Sequence, residues 1–406
     1  MDSSAITPTL AHRLDGLAPA ATVAMTIRAR AMRAEGKQVI ALTIGEPDFD
    51  SPAHAIEAAY QAAKDGQTKY PPQDGTGALK AAIQRKFKRD NGLDVALDEI
   101  MVSNGGKGVI FDALMATIDD GDEVIVPAPY WGAYTLMTQV VGGTPVVVTC
   151  SQNNGFRLRP EDLEAAITPR TKWLILNFPN NPTGAAASED DLKALGEVLL
   201  RHPQVWIMSD DMYEHLLFDG RHQASLASVL PALRDRTLTV SGVSKTYAMT
   251  GWRVGFATGP KRLIKAMVTM QGHVSAGISS VGQAAAAAAL DGPQDNVAAM
   301  VAAYQRRRDL VVEALNRAPG MICHKPEGAF YVYPNVAGCL GKTTAGGRRI
   351  DSDQDFAMAL LEEANVAIVH GAAFGLSPYV RISYATGDDD LREACDRIVT
   401  FCKALS

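Results

Sequence analysis

The 406-residue chain has little that would carry it to a membrane or a nucleic acid. No apolar run approaches the roughly 20 residues needed to span a bilayer. The opening Met1-Asp2-Ser3-Ser4 is polar and acidic, unlike the basic and then apolar start of a secretory leader. Positive charge is in deficit: 39 Lys and Arg stand against 45 Asp and Glu, a formal net charge of −6. A general nucleic-acid surface requires a basic field, so that class is set aside. Cysteine is scarce, and Cys150, Cys323, Cys339, Cys395 and Cys402 show no paired or metal-like spacing. Such a set reads as reduced thiols in a cytoplasmic enzyme. The eight histidines form no metal-ligand pattern, and no internal repeat is present. What remains, 47% hydrophobic and 21% charged residues, is ordinary for a soluble globular protein, and the length allows two domains.

From about residue 105 to 260, short β-rich runs alternate with helical patterns. The runs are Glu123–Val126, Thr144–Val148, Trp173–Asn177, Val205–Ser209, Thr237–Val240 and Gly255–Thr258. Segments 105–118, 130–141 and 188–201 have helical length and periodicity, the last opened by Ser188 with Asp191 three residues on. The alternation predicts an α/β fold, a mainly parallel sheet with helices on both faces and a site at the carboxyl ends of its strands. Short β-like runs at 319–334 and 366–385, with helices at 293–317, 352–365 and 388–405, predict a smaller α+β domain. The segment 30–50 joins it, so it is built from both chain ends. The expected division is an arm and part of the small domain over 1–50, a large domain over 51–290 and a small domain over 291–406. The six alanines between Gln283 and Leu290 predict a closely packed helix rather than a linker. The Gly/Thr/Lys-rich stretch 337–349 is expected to be a mobile loop.

Ser244-Lys245, with Arg253 eight residues later, carries the most chemistry. A lysine among small residues after the run Thr237–Val240 is an amine presented where a strand ends. Arg253, beside Gly251, could bind an anion attached to whatever the lysine bonds. Amine and anion clamp together are what pyridoxal phosphate requires: a partner for its aldehyde and an anchor for its dianion. For an isolated Ser-Lys, a surface pair beside a Gly-rich turn would be the better reading. The upstream motifs are equally weak alone. Asn180-Asn181-Pro182-Thr183-Gly184 could be any tight turn, and Asp210 in Ser209-Asp210-Asp211-Met212-Tyr213 could merely cap a helix.

The ordered combination decides. Asn-Pro-Thr-Gly, then Asp-x-x-Tyr, then Ser-Lys with Arg253, then Val380-Arg381-Ile382-Ser383-Tyr384, resembles the class I aminotransferases of the fold-type-I pyridoxal-phosphate enzymes. Among these it is similar to the I-gamma aspartate aminotransferases, including bacterial members that also use prephenate. Gly45-Glu46-Pro47-Asp48-Phe49, Thr68-Lys69-Tyr70, Gly105-Gly106-Lys107, Ala128-Pro129-Tyr130-Trp131 and Pro326-Glu327-Gly328-Ala329-Phe330-Tyr331 support it. The resemblance extends over nearly the whole chain. It implies a large domain with a mainly parallel seven-stranded-type sheet flanked by helices.

The resemblance also implies roles, position by position. Lys245 would bond the aldehyde of pyridoxal 5'-phosphate and shuttle the substrate's proton; Asp210 would pair with the pyridine nitrogen. Asn181 and Tyr213 would hydrogen-bond the ring's phenolic oxygen, and Trp131 would stack on the ring, although it could equally be a core aromatic. Gly105, Gly106 and Lys107 at a helix start, with Ser244 and Arg253, would hold the phosphate. Tyr70 would reach the phosphate in a neighbouring subunit, which implies a homodimer with shared sites. Arg381 would bind the substrate α-carboxylate and Gly45 would add a backbone contact. Lys107, with Thr22 nearby, would meet a distal carboxylate, unless only its backbone amide matters.

Two stretches depart from the family pattern: Gln271 to Ser280, and Gly132-Ala133 after Trp131. Both are expected near a substrate side chain, which leaves room for another amino donor. Aspartate or glutamate with a 2-oxo acid is the first expectation, and prephenate or an aromatic partner the second. A lyase or synthase on the same scaffold is an open alternative, and a non-catalytic regulator a weaker one.

Overall fold

The computed structural model describes residues 9–15 and 21–406; Met1–Ser4 and Ala20 lie outside the described residues. A short strand, β1 (Ile40–Ala41), comes first. Seven strands follow: β2 (Ile100–Asn104), β3 (Glu123–Ala128), β4 (Thr144–Thr149), β5 (Thr171–Asn177), β6 (Trp206–Asp210), β7 (Thr237–Gly242) and β8 (Val254–Thr258). They form one sheet in the order β2-β8-β7-β6-β5-β3-β4. Only β8 runs against its neighbours β2 and β7; the other pairs are parallel. The six runs read from the sequence are all strands of this sheet.

Alternation along the central strands explains why their apolar residues do not skip every second position. Val124 and Val126 of β3 and Trp173 and Ile175 of β5 pack into one core. Ile125, Leu174 and Leu176 point to the other face and pack into another. With helices over both faces of the central strands, both side-chain sets of β3 and β5 are largely buried and apolar. The helix Glu189–Leu200 starts as expected: Ser188 Oγ accepts from Asp191 N–H at 3.1 Å, and Asp191 Oδ2 accepts from Ser188 N–H at 2.9 Å. The alanine run lies in the helix Ser280–Asp291, where Ala285, Ala286 and Ala289 are fully buried. Small side chains there let it lie close against the helices Ala53–Lys64 and Gly77–Asn91.

The chain ends meet in a second core. Met25 and Met32 of the helix Ala21–Ala34 join Val39, Leu42 and residues from Met300 to Leu405. Here β1 pairs with β10 (Val366–Ala367), while β11 (Val369–His370), β12 (Val380–Ser383) and β9 (Tyr331–Val332) form a small antiparallel sheet. The run 319–334 is less strand-like than expected: β9 and isolated bridges at Ile322 and Gly328 are its pairings, and Ala329 takes a left-handed φ of 57°. The stretch 337–349 is tied down rather than free. Thr343 N–H donates to Ser406 O at 2.9 Å, and Thr344 Oγ1 to Glu363 Oε1 at 2.7 Å. Among the described residues no helix is long and apolar enough to cross a membrane.

Candidate active site

Parallel strands deliver side chains to one edge, and here the carboxyl ends of β5, β6 and β7 supply Asn177, Asp210 and the Ser244-Lys245 turn. These line a cavity of about 520 Å³ with Gly45, Lys107, Trp131, Asn181 and Arg381. Gly106, Tyr213, Arg253 and Thr22 line it too.

At one end, β2 runs directly into the helix Gly105–Met115, whose N-terminus has no side-chain cap. Gly105 has φ 75°, and a Cβ there would lie 2.4 Å from Arg253 Nη2. The missing side chain lets the guanidinium approach the helix amides. Arg253 Nη1 donates to Thr250 O at 2.9 Å and Nη2 to Asn104 O at 3.2 Å, which aims the fork at that end. Free amides, a helix dipole and a guanidinium make a site suited to a phosphate.

Asp210 is buried, and burial pushes its carboxyl up to about 6 against the opposing hydrogen bond of Tyr134, the Met212 amide and the charge of Lys245. Tyr134 Oη donates to Oδ2 at 2.5 Å, and Met212 N–H to Oδ1 at 3.2 Å. Asn177 steadies the same corner: its Nδ2 donates to Asp210 O at 2.9 Å and its Oδ1 accepts from Asn181 N–H at 2.9 Å. Of the two adjacent aspartates only Asp210 lines the cavity; Asp211 Oδ1 instead accepts from Ser209 Oγ at 2.7 Å.

Lys245 Nζ donates to Gly45 O at 2.5 Å. Burial brings its ammonium down to about 8; Glu46 opposes the change, and Arg381 and Arg253 add to it. A side chain on Gly45 would strike Tyr331, since a Cβ would sit 2.2 Å from its hydroxyl. The glycine therefore permits the close approach that puts its carbonyl on the lysine.

Arg381 is 3% exposed. Its Nη1 donates to Asn181 Oδ1 at 3.0 Å and its Nη2 to Thr43 O at 2.5 Å, while Nε has no partner among the described residues. The guanidinium lies over the rings of Tyr331 and Phe374, at 4.7 and 4.8 Å. A buried guanidinium with an unused N–H is a receptor for an anion such as a carboxylate. Tyr213 and Tyr331 share a hydroxyl contact of 2.9 Å. Lys107 Nζ stands 5.0 Å from the Trp131 ring centre, its ammonium pushed down by burial and then by Arg253. The set fits pyridoxal phosphate: an amine of reduced basicity, an acid for a ring nitrogen and an anion cradle surround one space.

Tyr70 is not brought to this cavity. It is 92% exposed and lines a separate groove with residues 275–281. Neither the divergent stretch 271–280 nor Gly132-Ala133 lines the cavity of one chain; residues 275–281 line the groove that holds Tyr70. The helix 261–274 carries the first of these toward Tyr70, and Gly132 instead faces the carbonyl of Ala373. Sequence reasoning gave no role to Tyr134, Asn177, Tyr331 or Thr43. Tyr134 stands three residues after Trp131, one turn on, and Asn177 is the last residue of an apolar strand. Those signals are real but generic.

The family model for class I and II aminotransferases matches residues 37–398. The aspartate/prephenate aminotransferase of Cereibacter sphaeroides is 56% identical over 98% of this chain and 99% of its own. An aspartate aminotransferase of Rhizobium meliloti is 52% identical over 98% and 97%. A crystal structure of the aspartate aminotransferase from Rhizobium meliloti superposes with a TM-score of 0.96, at 52% identity over 98% of this chain and all of that one. The Thermus thermophilus aspartate aminotransferase with maleate gives 0.90, at 40% identity over 97% of this chain and all of its own. This family implies pyridoxal phosphate chemistry on the fold-type-I scaffold, and the seven-stranded sheet described above agrees with that scaffold. The chain belongs to the class I and II aminotransferases.

Proposed function

We propose that the chain uses pyridoxal 5'-phosphate to move the amino group of aspartate or glutamate to a 2-oxo acid such as 2-oxoglutarate, in two half-reactions. The convergence of Lys245, Asp210 and Arg381 on one cavity carries this reading. The bound cofactor supplies an aldehyde and an electron-accepting ring. The remaining work falls to the chain's own side chains.

Gly105, Gly106, Lys107, Ser244 and Arg253 hold the phosphate, and Trp131 covers the ring. Asp210 pairs with the ring nitrogen. Asn181 has its carbonyl oxygen engaged by Arg381, so its amide N–H is the group left to donate to the ring's phenolic oxygen, beside Tyr213. Arg381 takes the substrate α-carboxylate through its unused N–H, with Gly45 adding a backbone contact, and so orients the Cα–H bond. An amine with a pKa of about 8 is about half neutral at pH 8, so Lys245 can accept the Cα proton and return it.

Lys107 and Thr22 line the cavity where a distal carboxylate would reach, which supports an acidic substrate. Prephenate or an aromatic partner is the second reading; exposed Val23 and Ile27 add apolar surface to the same wall. Exposed Tyr70 supports a homodimer in which it completes the partner's phosphate site. Five buried, unpaired cysteines support a cytoplasmic setting. The division at 1–50, 51–290 and 291–406 stands as part of this proposal, supported by the separate core that joins both chain ends.

The test is borohydride reduction of cofactor-loaded protein, peptide mapping and half-reaction spectra with a panel of amino acids. Cofactor mass on Lys245 and a spectral change with aspartate or glutamate are expected. An unlabelled Lys245 would remove the basis of the reading, and free ammonia without amino transfer would turn it toward a lyase.

A further inference from the structure

We propose that Tyr134 is a positioning residue for this transamination: its hydroxyl, seated on Asp210 Oδ2, fixes the carboxylate in the orientation that meets the cofactor's ring nitrogen. The inference rests on the function proposed above and adds a residue to it.

Tyr134 is 2% exposed, and its hydroxyl makes one hydrogen bond, to Asp210 Oδ2 at 2.5 Å. Burial and the neighbouring carboxylate push its ionisation well above the ordinary tyrosine value, so the phenol keeps its proton and donates it. The other oxygen, Oδ1, is held by Met212 N–H at 3.2 Å. With one donor on each oxygen, rotation of the carboxylate would break a bond, and the remaining lone pairs face the cavity. Tyr134 is itself fixed: Trp131 meets it edge to face at 5.4 Å, and Thr138 Oγ1 donates to its carbonyl at 2.8 Å. One residue thus registers the ring-covering indole and the acid against each other.

The other titratable groups around Asp210 do not replace this bond. Lys245 is the nearby cation, and Tyr213 is tied to Tyr331. Asp211 is buried outside the cavity wall with its Oδ1 accepting from Ser209 Oγ at 2.7 Å, so it adds no donor on the cavity side. Without Tyr134, burial would favour a neutral Asp210, and a neutral acid attracts a protonated ring nitrogen far less.

The experiment compares wild type, Tyr134→Phe, Asp210→Asn and the double variant. Cofactor affinity of the apoprotein is measured between pH 5 and 8, together with kcat and KM. In Tyr134→Phe the acid-side loss of affinity is expected to move up by about one pH unit, and kcat to fall about tenfold with KM within about threefold. In the Asp210→Asn background the same change should alter affinity less than about twofold. Tyr134→His, which keeps a ring and an N–H donor, should recover part of the acid limb even if Tyr134→Phe folds poorly. A uniform loss at every pH, equal in both backgrounds, would reduce Tyr134 to packing and overturn the proposal. An unshifted acid limb would do the same. Wild-type protein that does not bind the cofactor would overturn the transamination reading itself, which is a distinct outcome.

Discussion

The two walls of the cavity come from different parts of the chain. On the sheet side, Asp210 ends β6 and pairs in register with Asn177 of β5 and Val240 of β7, so ladder hydrogen bonds set its place. The opposite wall comes from Thr43–Gly45, Tyr331 and Arg381, which lie far apart in the chain. It meets the first through Lys245 to Gly45, Arg381 to Asn181 and Tyr213 to Tyr331. Arg381 and Tyr331 are themselves set in the paired strands β12 and β9, so each wall has its own ladder. What joins the two walls is side-chain bonds involving the groups a substrate would engage. A substrate carboxylate at Arg381 can change that balance, which is a physical route from binding to closure.

The largest effect should come from the sheet-side wall. Replacing Lys245 by Ala is expected to cut turnover at least about a thousandfold, since the amine proposed to carry the Cα proton is removed. Steady-state assay with cofactor in excess checks this, and near-normal turnover would contradict it.

Asp210→Asn should lose about a hundredfold or more in kcat and also reshape stability against pH. The folded carboxyl titrates near 6 rather than at the ordinary 3.8, so the folded apoprotein binds the proton more tightly than the unfolded chain. Stability from this group is present below about pH 4 and is lost as pH rises through 6, by at most about 3 kcal/mol. Asparagine removes that slope. Melting of apoprotein at pH 4, 6 and 8 is the check, and parallel curves for both proteins would count against the burial argument.

On the opposite wall, Arg381→Lys should lower kcat/KM about a hundredfold for every amino acid, mainly through KM. Lysine keeps the charge but not the planar fork. If kcat fell instead with KM unchanged, the residue would not be the carboxylate receptor. The smallest effect is expected at Lys107: its replacement by Ala should cost dicarboxylates about tenfold and neutral amino acids less than about twofold. Equal losses in both classes would assign Lys107 to the phosphate rather than to specificity.

The same division separates what could be read from the sequence from what could not. Asn181, Asp210 and Lys245 were legible because each follows an apolar run whose end faces the site by the topology of a parallel sheet. Arg381 was legible only through resemblance, since nothing local in Val380-Arg381-Ile382 says that its guanidinium crosses the cavity to Asn181. Tyr134 and Asn177 escaped notice because a tyrosine one turn into a helix and an asparagine at a strand end serve many purposes. The stretch 271–280 was expected beside a substrate side chain; within one chain its residues 275–280 border Tyr70, the residue expected to reach a neighbouring subunit's site.

Taken alone, the order of apolar runs and turn motifs determined the sheet, its helices and the residues at the strand ends, because periodicity and chain direction are local properties. Tertiary structure decided which partners those residues received. A lysine of lowered basicity, an aspartate clamped on both oxygens and an arginine with an unpartnered Nε depend on burial and on neighbours distant in sequence, and spacing encodes neither.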